Sequence, residues 1–162
     1  MRVAFADVWD PAKDNIYPGT VRIDPAYNRA RSKLHDLAVI VPAWQPPARP
    51  AQLAAPGTID RVRPKYAVTV GYGDPNRGHR RYATERVVSW NANWLRLVPG
   101  SGNSCGGDSG GADLLPGTDT VIALTDLGSC TKDQDTRVDN AAVARFVNSA
   151  TRLVLRSRAA SR

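Results

Sequence analysis

A nine-residue stretch from Asn103 to Gly111, Asn-Ser-Cys-Gly-Gly-Asp-Ser-Gly-Gly, contains the residue types that could perform chemistry. Four glycines within six residues favour backbone conformations that residues with a Cβ avoid. Such a main chain can bring several N–H groups together on one side of a serine. Ser109, with its own N–H and those of Gly107 and Asp108, therefore has the pattern of a nucleophile beside an oxyanion hole. A plain Gly/Ser turn between two strands is the alternative for a loop of this composition.

The stretch from Gly107 to Gly111 also fits Gly-x-Ser-x-Gly, the nucleophile elbow of the α/β-hydrolases. That elbow requires a helix directly after the serine, and then an acid and a histidine later in the chain. Here Gly-Gly-Ala-Asp-Leu-Leu-Pro follows Ser109, and both histidines, His35 and His79, precede it. Both the local sequence and the chain order therefore argue against the elbow.

The order Cys-x-Gly-Asp-Ser-Gly-Gly resembles the active-site loop of the trypsin-like (chymotrypsin-fold) serine proteases, peptidase family S1. This resemblance implies an endopeptidase that hydrolyses a polypeptide substrate through an acyl-enzyme on Ser109. It implies an oxyanion hole built from the N–H groups of Gly107 and Ser109. Asp108 resembles the aspartate that pairs with a newly cut N-terminus in activated members of the family.

The same resemblance implies a specificity pocket and a disulfide. Asn103 lies six residues before the nucleophile, at the base of the pocket, and Ser104 and Gly128 contribute to its walls. A neutral amide at position 103 gives no charge to pair with Arg or Lys. Cys105 and Cys130, 25 positions apart, match the disulfide that ties the nucleophile loop to the opposite wall.

The resemblance identifies a candidate for the catalytic acid but none for the catalytic base. Asp36 opens the apolar run Asp-Leu-Ala-Val-Ile, which is similar to the family's segment carrying the triad acid, and it precedes Ser109 as the family's order requires. The family's base lies in an Ala-Ala-His-Cys segment well upstream of that acid, which this chain does not contain. His35 would face away from Asp36 if both lay on one strand. His79 lies in a Gly/Arg-rich hairpin tip, so neither histidine is expected to act as the base.

Hydrophobic periodicity predicts an all-β chain with one C-terminal helix. Strands are expected at residues 3–9, 20–23, 35–41, 66–73, 82–89, 93–98 and 120–125. Val143, Phe146, Val147, Ala150, Leu153 and Val154 share one face of a helix, which Asp139 or Asn140 can cap. The resemblance implies a chymotrypsin-like double β-barrel. We expect a remnant of the first barrel at 1–45, a Pro-rich linker at 46–60, the complete second barrel at 61–138, and the helix with a basic tail at 139–162.

Composition and charge exclude several other classes of function and favour β-structure. Fourteen Asp but a single Glu, with 13 Gly and 12 Pro, favour turns and short strands over helices. The net charge of +7 comes from arginines scattered along the chain, so nucleic-acid binding is not expected. No repeat, phosphate loop or zinc-ligand spacing occurs, and no cofactor or metal is implied. No apolar run approaches the length of a membrane span.

Export is the point on which the signals disagree. The opening Met-Arg-Val-Ala-Phe-Ala-Asp is no secretory signal, whereas a disulfide requires an oxidising compartment. Three hypotheses remain. The chain is part of a secreted protease whose start was assigned too late, so that the catalytic histidine is missing and these residues alone are inactive. It is a truncated, catalytically dead homologue that serves as a binding module. Least favoured, it is a basic protein that binds polyanions.

Overall fold

The computed structural model describes residues 1–28, 35–75 and 77–160, with the side chains of 154–160 excluded. The chain forms two compact units, Met1–Arg49 with Ala141–Arg162, and Pro50–Asn140. Within the described residues, no helix is both long and apolar enough to cross a membrane.

The first unit contains a three-stranded antiparallel sheet. Its strands are β1 (Arg2–Val3), β2 (Tyr17–Ile23) and β3 (Ala38–Pro42), in that spatial order. Aromatic rings pack at one end of this sheet, where buried Tyr17 lies edge-on to Phe5 with ring centroids 5.4 Å apart. Two of the predicted boundaries were wrong. The strand expected at 3–9 extends only over Arg2–Val3, and the one expected at 35–41 begins three residues later.

The second unit is a closed β-barrel. Its elements are β4 (Gln52–Leu53), α1 (Thr58–Val62), β5 (Tyr66–Gly71), β6 (Arg81–Trp90), β7 (Trp94–Pro99), β8 (Ala112–Leu114), β9 (Thr120–Gly128) and β10 (Asp133–Arg137). The strands follow the order β10-β7-β6-β5-β8-β9-β4, and β10 also pairs with β9. That last pairing closes six strands, β5 to β10, into a barrel, and β4 runs parallel to β9 beside it.

Alternation along the strands creates the barrel's core. In β7, Leu95 and Leu97 are fully buried, whereas Arg96 between them is exposed. Ala67 of β5 and Ile122 of β9 reach the same apolar cluster, together with Ile59 of α1. This inside–outside pattern is the period of two that identified most of these strands in the sequence.

Three strands, β4, β8 and β10, were not predicted. β8 follows the glycines of the nucleophile loop, and β10 has the polar sequence Asp-Gln-Asp-Thr-Arg, typical of a surface loop. In the fold, Asp133, Asp135 and Arg137 all point inward and are buried. β10 was missed because its inward positions carry charges instead of apolar side chains.

The C-terminal helix α2 (Ala141–Ala160) confirms the predicted helix and packs against β3 within the first unit. Val143 and Ala150 are buried on its apolar face, Leu153 is exposed, and Val154 lies outside the described side chains. The expectation that Asp139 caps this helix was wrong. Its carboxylate instead accepts the N–H of Ile59, in the first turn of α1, at 2.7 Å.

Candidate active site

The nucleophile loop, residues 100–111, joins β7 to β8, and Ser109 is exposed near its end. Gly107 has a φ of 97°, a conformation that a side chain would disfavour. The N–H of Asp108 donates back to the carbonyl of Cys105 at 3.1 Å. The N–H groups of Gly107 and Ser109, by contrast, donate to no acceptor in the described part of the chain. The loop thus carries two N–H groups, of Gly107 and of Ser109, without an acceptor among the described residues.

The Asp108 side chain fixes this loop to the barrel. Its Oδ1 accepts the N–H of Gly73 at 2.7 Å, and its Oδ2 accepts the N–H of Cys105 at 2.9 Å. A third bond has the same direction as that of Gly73, because the N–H of Asp74 donates to the carbonyl of Gly106 in the loop at 2.9 Å. The carboxylate therefore clamps the nucleophile loop against the end of β5.

Glycine is required where β5 passes this carboxylate. A Cβ at Gly71 would overlap with Asp108 Oδ1, and a Cβ at Gly73 would lie 2.7 Å from the same oxygen. The sequence Gly-Tyr-Gly at 71–73 is therefore part of the site, although the sequence analysis assigned it only to a strand end.

The predicted pocket residues surround the start of the loop. Asn103 is half-buried, and its side-chain amide donates to the carbonyl of Ser104 at 2.9 Å. A cavity of about 640 Å³ is lined by residues from Asn103 to Cys105, by Asp108, and by residues of the β5–β6 hairpin including Gly71 and Tyr82. Gly128 is exposed at the end of β9.

The disulfide between Cys105 and Cys130 is present. It joins the nucleophile loop to the segment between β9 and β10, as the resemblance implied. Because the bridge connects two loops at the same end of the barrel, it restricts their separation in the unfolded chain and their movement in the folded one.

The interior of the barrel contains four carboxyl groups that the sequence analysis did not identify. Glu85 of β6, Asp113 of β8, and Asp133 and Asp135 of β10 are all buried. Burial, together with the neighbouring Asp133, raises the pKa of Glu85 to about 8. Among the described residues, no group of three His, Cys, Asp or Glu side chains has an arrangement that could hold a metal ion.

Three other titratable residues considered in the sequence analysis are Asp36, the predicted triad acid, and the two histidines, neither of which was expected to act as the base. Asp36 is exposed and belongs to the first unit, before β3. His35 is not on a strand. It adopts a φ of 65° in a turn, and its Nδ1 lies 3.0 Å from Asp24 Oδ2. His79 is exposed in the β5–β6 hairpin. The imidazole of His35 is thus paired with Asp24, an acid that the sequence analysis did not consider.

The architecture of the two units defines the fold class of this chain. A six-stranded closed barrel, accompanied by a second sheet and a C-terminal helix, is the chymotrypsin-like fold of the trypsin-like serine proteases. The VesB protease from Vibrio cholerae is one solved structure with this similarity, at a TM-score of 0.66 and 15% sequence identity. The match covers 80% of this chain and 44% of that one, so the chain spans less than half the length of that protease.

The sequence itself is distant from known families. No protein-family model matches it, and no curated protein is significantly similar to it. The likeness to VesB at 15% identity defines the fold of this chain, and the chemistry must be argued from the site.

Proposed function

We propose that this chain carries the nucleophile half of a serine endopeptidase site, with Ser109 as the nucleophile. One observation carries the proposal. An exposed serine lies beside two N–H groups, of Gly107 and of Ser109 itself, that have no acceptor among the described residues. The Asp108 clamp holds these donors in place before any substrate arrives, which is the preorganisation that oxyanion stabilisation needs.

The proposed reaction proceeds in two steps. Ser109 Oγ attacks the carbonyl carbon of a peptide bond while a base removes the hydroxyl proton, and the carbonyl oxygen becomes an oxyanion facing the two N–H groups. The C–N bond then breaks, and the same base returns the proton to the leaving amine. Water hydrolyses the resulting acyl-enzyme by the reverse sequence.

The base is the part that this chain does not supply. His35 is paired with Asp24, and His79 sits in a basic hairpin tip next to arginines. We therefore assign the base to a longer form of the protein, in which Asp36 would orient the imidazole. Without a base, roughly 10³–10⁴-fold rate enhancement over water would remain from the oxyanion hole and binding, too little for useful proteolysis. The disulfide supports an oxidising, extracellular compartment for that longer form.

A binding module without catalysis is the second candidate. The engagement of His35 by Asp24 favours it, because that contact takes an imidazole away from catalytic use. Its ligand would still be a polypeptide, bound along the same pocket.

A fluorophosphonate probe tests the proposal directly. The 162-residue protein should react slowly at Ser109, and added imidazole should accelerate the reaction by acting as an external base. Ser109→Ala should abolish the label. The matched control Ser129→Ala removes another exposed serine hydroxyl near the disulfide and should label like the parent protein. Labelling that persists in Ser109→Ala, or that imidazole leaves unchanged, would exclude Ser109 as an activatable nucleophile and favour the binding module.

A further inference from the structure

The four interior carboxyl groups form a connected cluster, here called the acid cluster: Glu85, Asp113, Asp133 and Asp135. None is more than 4% exposed. Thr69 Oγ1 donates to Asp113 Oδ1 at 2.7 Å, and the N–H of Asp126 donates to Asp135 Oδ1 at 3.2 Å. These are the neutral donors that the neighbouring strands provide.

Several oxygens of the acid cluster have no donor at all. Glu85 Oε2, Asp113 Oδ2, Asp135 Oδ2 and both carboxylate oxygens of Asp133 are buried without a hydrogen-bond partner among the described residues. A buried carboxylate oxygen without a donor is strongly disfavoured. A proton shared between two carboxyl groups supplies the missing donor, because a protonated carboxyl has an O–H that its neighbour can accept.

The four carboxyl groups of the acid cluster form two neighbouring pairs. Glu85 is a neighbour of Asp133, and Asp135 is a neighbour of Asp113, so that one carboxyl of each pair can donate to the other once it is protonated. No Lys or Arg pairs with any of the four in the described part of the chain. The inward-facing Arg137 on β10 is instead engaged by Asp139 and Asp60. The acid cluster therefore depends on protons, rather than cations, for its stability.

The acid cluster touches the candidate active site at two points. Glu85 Oε1 accepts the N–H of Ser104 at 2.7 Å, one residue before the disulfide and five before the nucleophile. Asp133 pairs with Gly128 in the β9–β10 ladder, and a Cβ at Gly128 would overlap with its carboxylate. The two contacting carboxyl groups thus support the two segments that carry the predicted pocket residues Ser104 and Gly128.

We propose that Glu85 is a positioning residue for the nucleophile loop, and that the proton it shares with Asp133 keeps this loop in its observed place. The proposal concerns how the proposed serine site is regulated. Its consequence for catalysis rests on the proposed function, whereas its test does not. When the shared proton is lost, two carboxylates in contact repel each other inside the barrel. Glu85 is tethered to Ser104 and Asp133 is packed over Gly128, so their separation displaces the loop or the pocket wall.

The direction of the pH effect follows from the surroundings of Glu85. Burial, Asp133 and Asp113 favour its protonated form, and only the N–H of Ser104 favours the ionised one. Asp135 and Asp126 complete the set of acids on the packed strands, and Thr69 and Thr125 are the neutral hydroxyls there. The loop is therefore ordered in the acidic to neutral range and loosened above about pH 8, the value to which the pKa of Glu85 is raised.

Amide hydrogen exchange of the 162-residue protein, followed by NMR between pH 6 and pH 9, tests this without any catalysis. The protection factor of the Ser104 N–H should fall about tenfold or more across that range, because repulsion from Asp133 moves the Glu85 carboxylate away from this N–H. The N–H of Leu97, in the buried part of β7, reports global opening and should keep its protection over the same step.

Three variants test whether ionisation of Glu85 next to Asp133 causes the loss of Ser104 protection. Glu85→Gln keeps an acceptor for Ser104 and a donor for Asp133 but cannot ionise, so its Ser104 protection should not change with pH. Asp133→Asn removes the repelling neighbour, and its amide can donate to the Glu85 carboxylate, so its Ser104 protection should also stay constant with pH. Asp119→Asn, in the turn between β8 and β9 and outside the acid cluster, should titrate like the parent protein.

Constant Ser104 protection in the parent protein would overturn the proposal. So would an equal pH response in Glu85→Gln, or a parallel loss at Leu97, which would mean that ionisation only destabilises the whole barrel. None of these outcomes depends on whether Ser109 reacts with a fluorophosphonate. A failure of the proposed function would appear only in that labelling.

Discussion

Arg137 and Asp139 form a bidentate ion pair that is almost completely removed from solvent. The guanidinium Nε donates to Asp139 Oδ1 at 2.8 Å and Nη2 donates to Oδ2 at 3.0 Å, with side-chain exposures of 3% and 0%. Asp139 also accepts the N–H of Ile59, so the pair joins β10 to the start of α1. A buried carboxylate is acceptable here because each of its oxygens has a donor.

Arg137→Met should therefore be strongly destabilising. It leaves the Asp139 carboxylate buried with only one remaining donor, and removing one partner of a buried pair typically costs about 3–5 kcal/mol in the free energy of unfolding. Urea denaturation would measure the change.

The matched control is Arg77→Met, which breaks the exposed pair with Asp74 and should change the free energy of unfolding far less, because solvent screens that pair. Equal costs for the two variants would show that burial does not determine the strength of the Arg137 pair.

The Asp108 clamp can be tested by a double-mutant cycle with Gly71. Gly71→Ala should destabilise the protein, because the new methyl group overlaps with the Asp108 carboxylate. In an Asp108→Ala background the same change should cost far less, since the obstructing group is gone. A coupling free energy of about 1–3 kcal/mol is expected from urea denaturation. Additive effects would mean that Gly71 is needed for another reason.

Stability should decrease as the pH rises. Burial raises the pKa values of Asp113 to about 6, Glu85 to about 8 and Asp135 to about 10, all above those of an unfolded chain. The folded state therefore binds these protons more tightly. Its advantage is complete below about pH 4 and is lost as the pH rises through 6 to 10.

Calorimetry at pH 5 and pH 9 measures this effect. We expect a Tm lower by about 5 °C or more at pH 9. Glu85→Gln removes one of the titrating groups and should reduce the difference. A Tm that rises between pH 5 and pH 9 would contradict the protonated state of the acid cluster.

The sequence was informative where local chemistry alone determines structure. The order of Cys105, Asp108 and Ser109 among glycines predicted the nucleophile loop, and the alternation of Leu95 and Leu97 predicted β7. Each of these two patterns lies within a short stretch of the sequence. The disulfide was implied by the resemblance of that loop to the trypsin-like proteases. The roles of Asp36 and of the pocket residues remain predictions.

The acid cluster could not be predicted, because its stability arises from contacts between distant strands. Glu85 and Asp133 are 48 positions apart in the sequence and meet only inside the closed barrel. An acidic residue in a single sequence is expected on the surface, so no strand was predicted at Asp133 and Asp135. The one available signal was the spacing of Asp133, Asp135 and Arg137 at alternate positions, which is the period of a strand.

The disulfide should contribute substantially to stability. Its cysteines are 25 residues apart, and closing a loop of that length in the unfolded chain is worth about 3–4 kcal/mol. The Cys105→Ser/Cys130→Ser variant should lose about that amount in urea denaturation. Dithiothreitol should destabilise the parent protein to a similar extent and leave the variant unchanged. An effect of the reductant on the variant would point to a cause other than the bridge.

The two units should differ in their resistance to proteolysis. The barrel strands β5 to β10 close on themselves, whereas the sheet of β1, β2 and β3 has two open edges and a first strand of only two residues. Local opening is easier at open edges, because fewer backbone hydrogen bonds must break. Arg22 of β2 and Arg86 of β6 are both exposed strand arginines, so they form a matched pair of trypsin sites. Under native conditions, mass spectrometry should detect cleavage after Arg22 well before cleavage after Arg86. Equal rates would show that the three-stranded sheet is as resistant to local opening as the closed barrel.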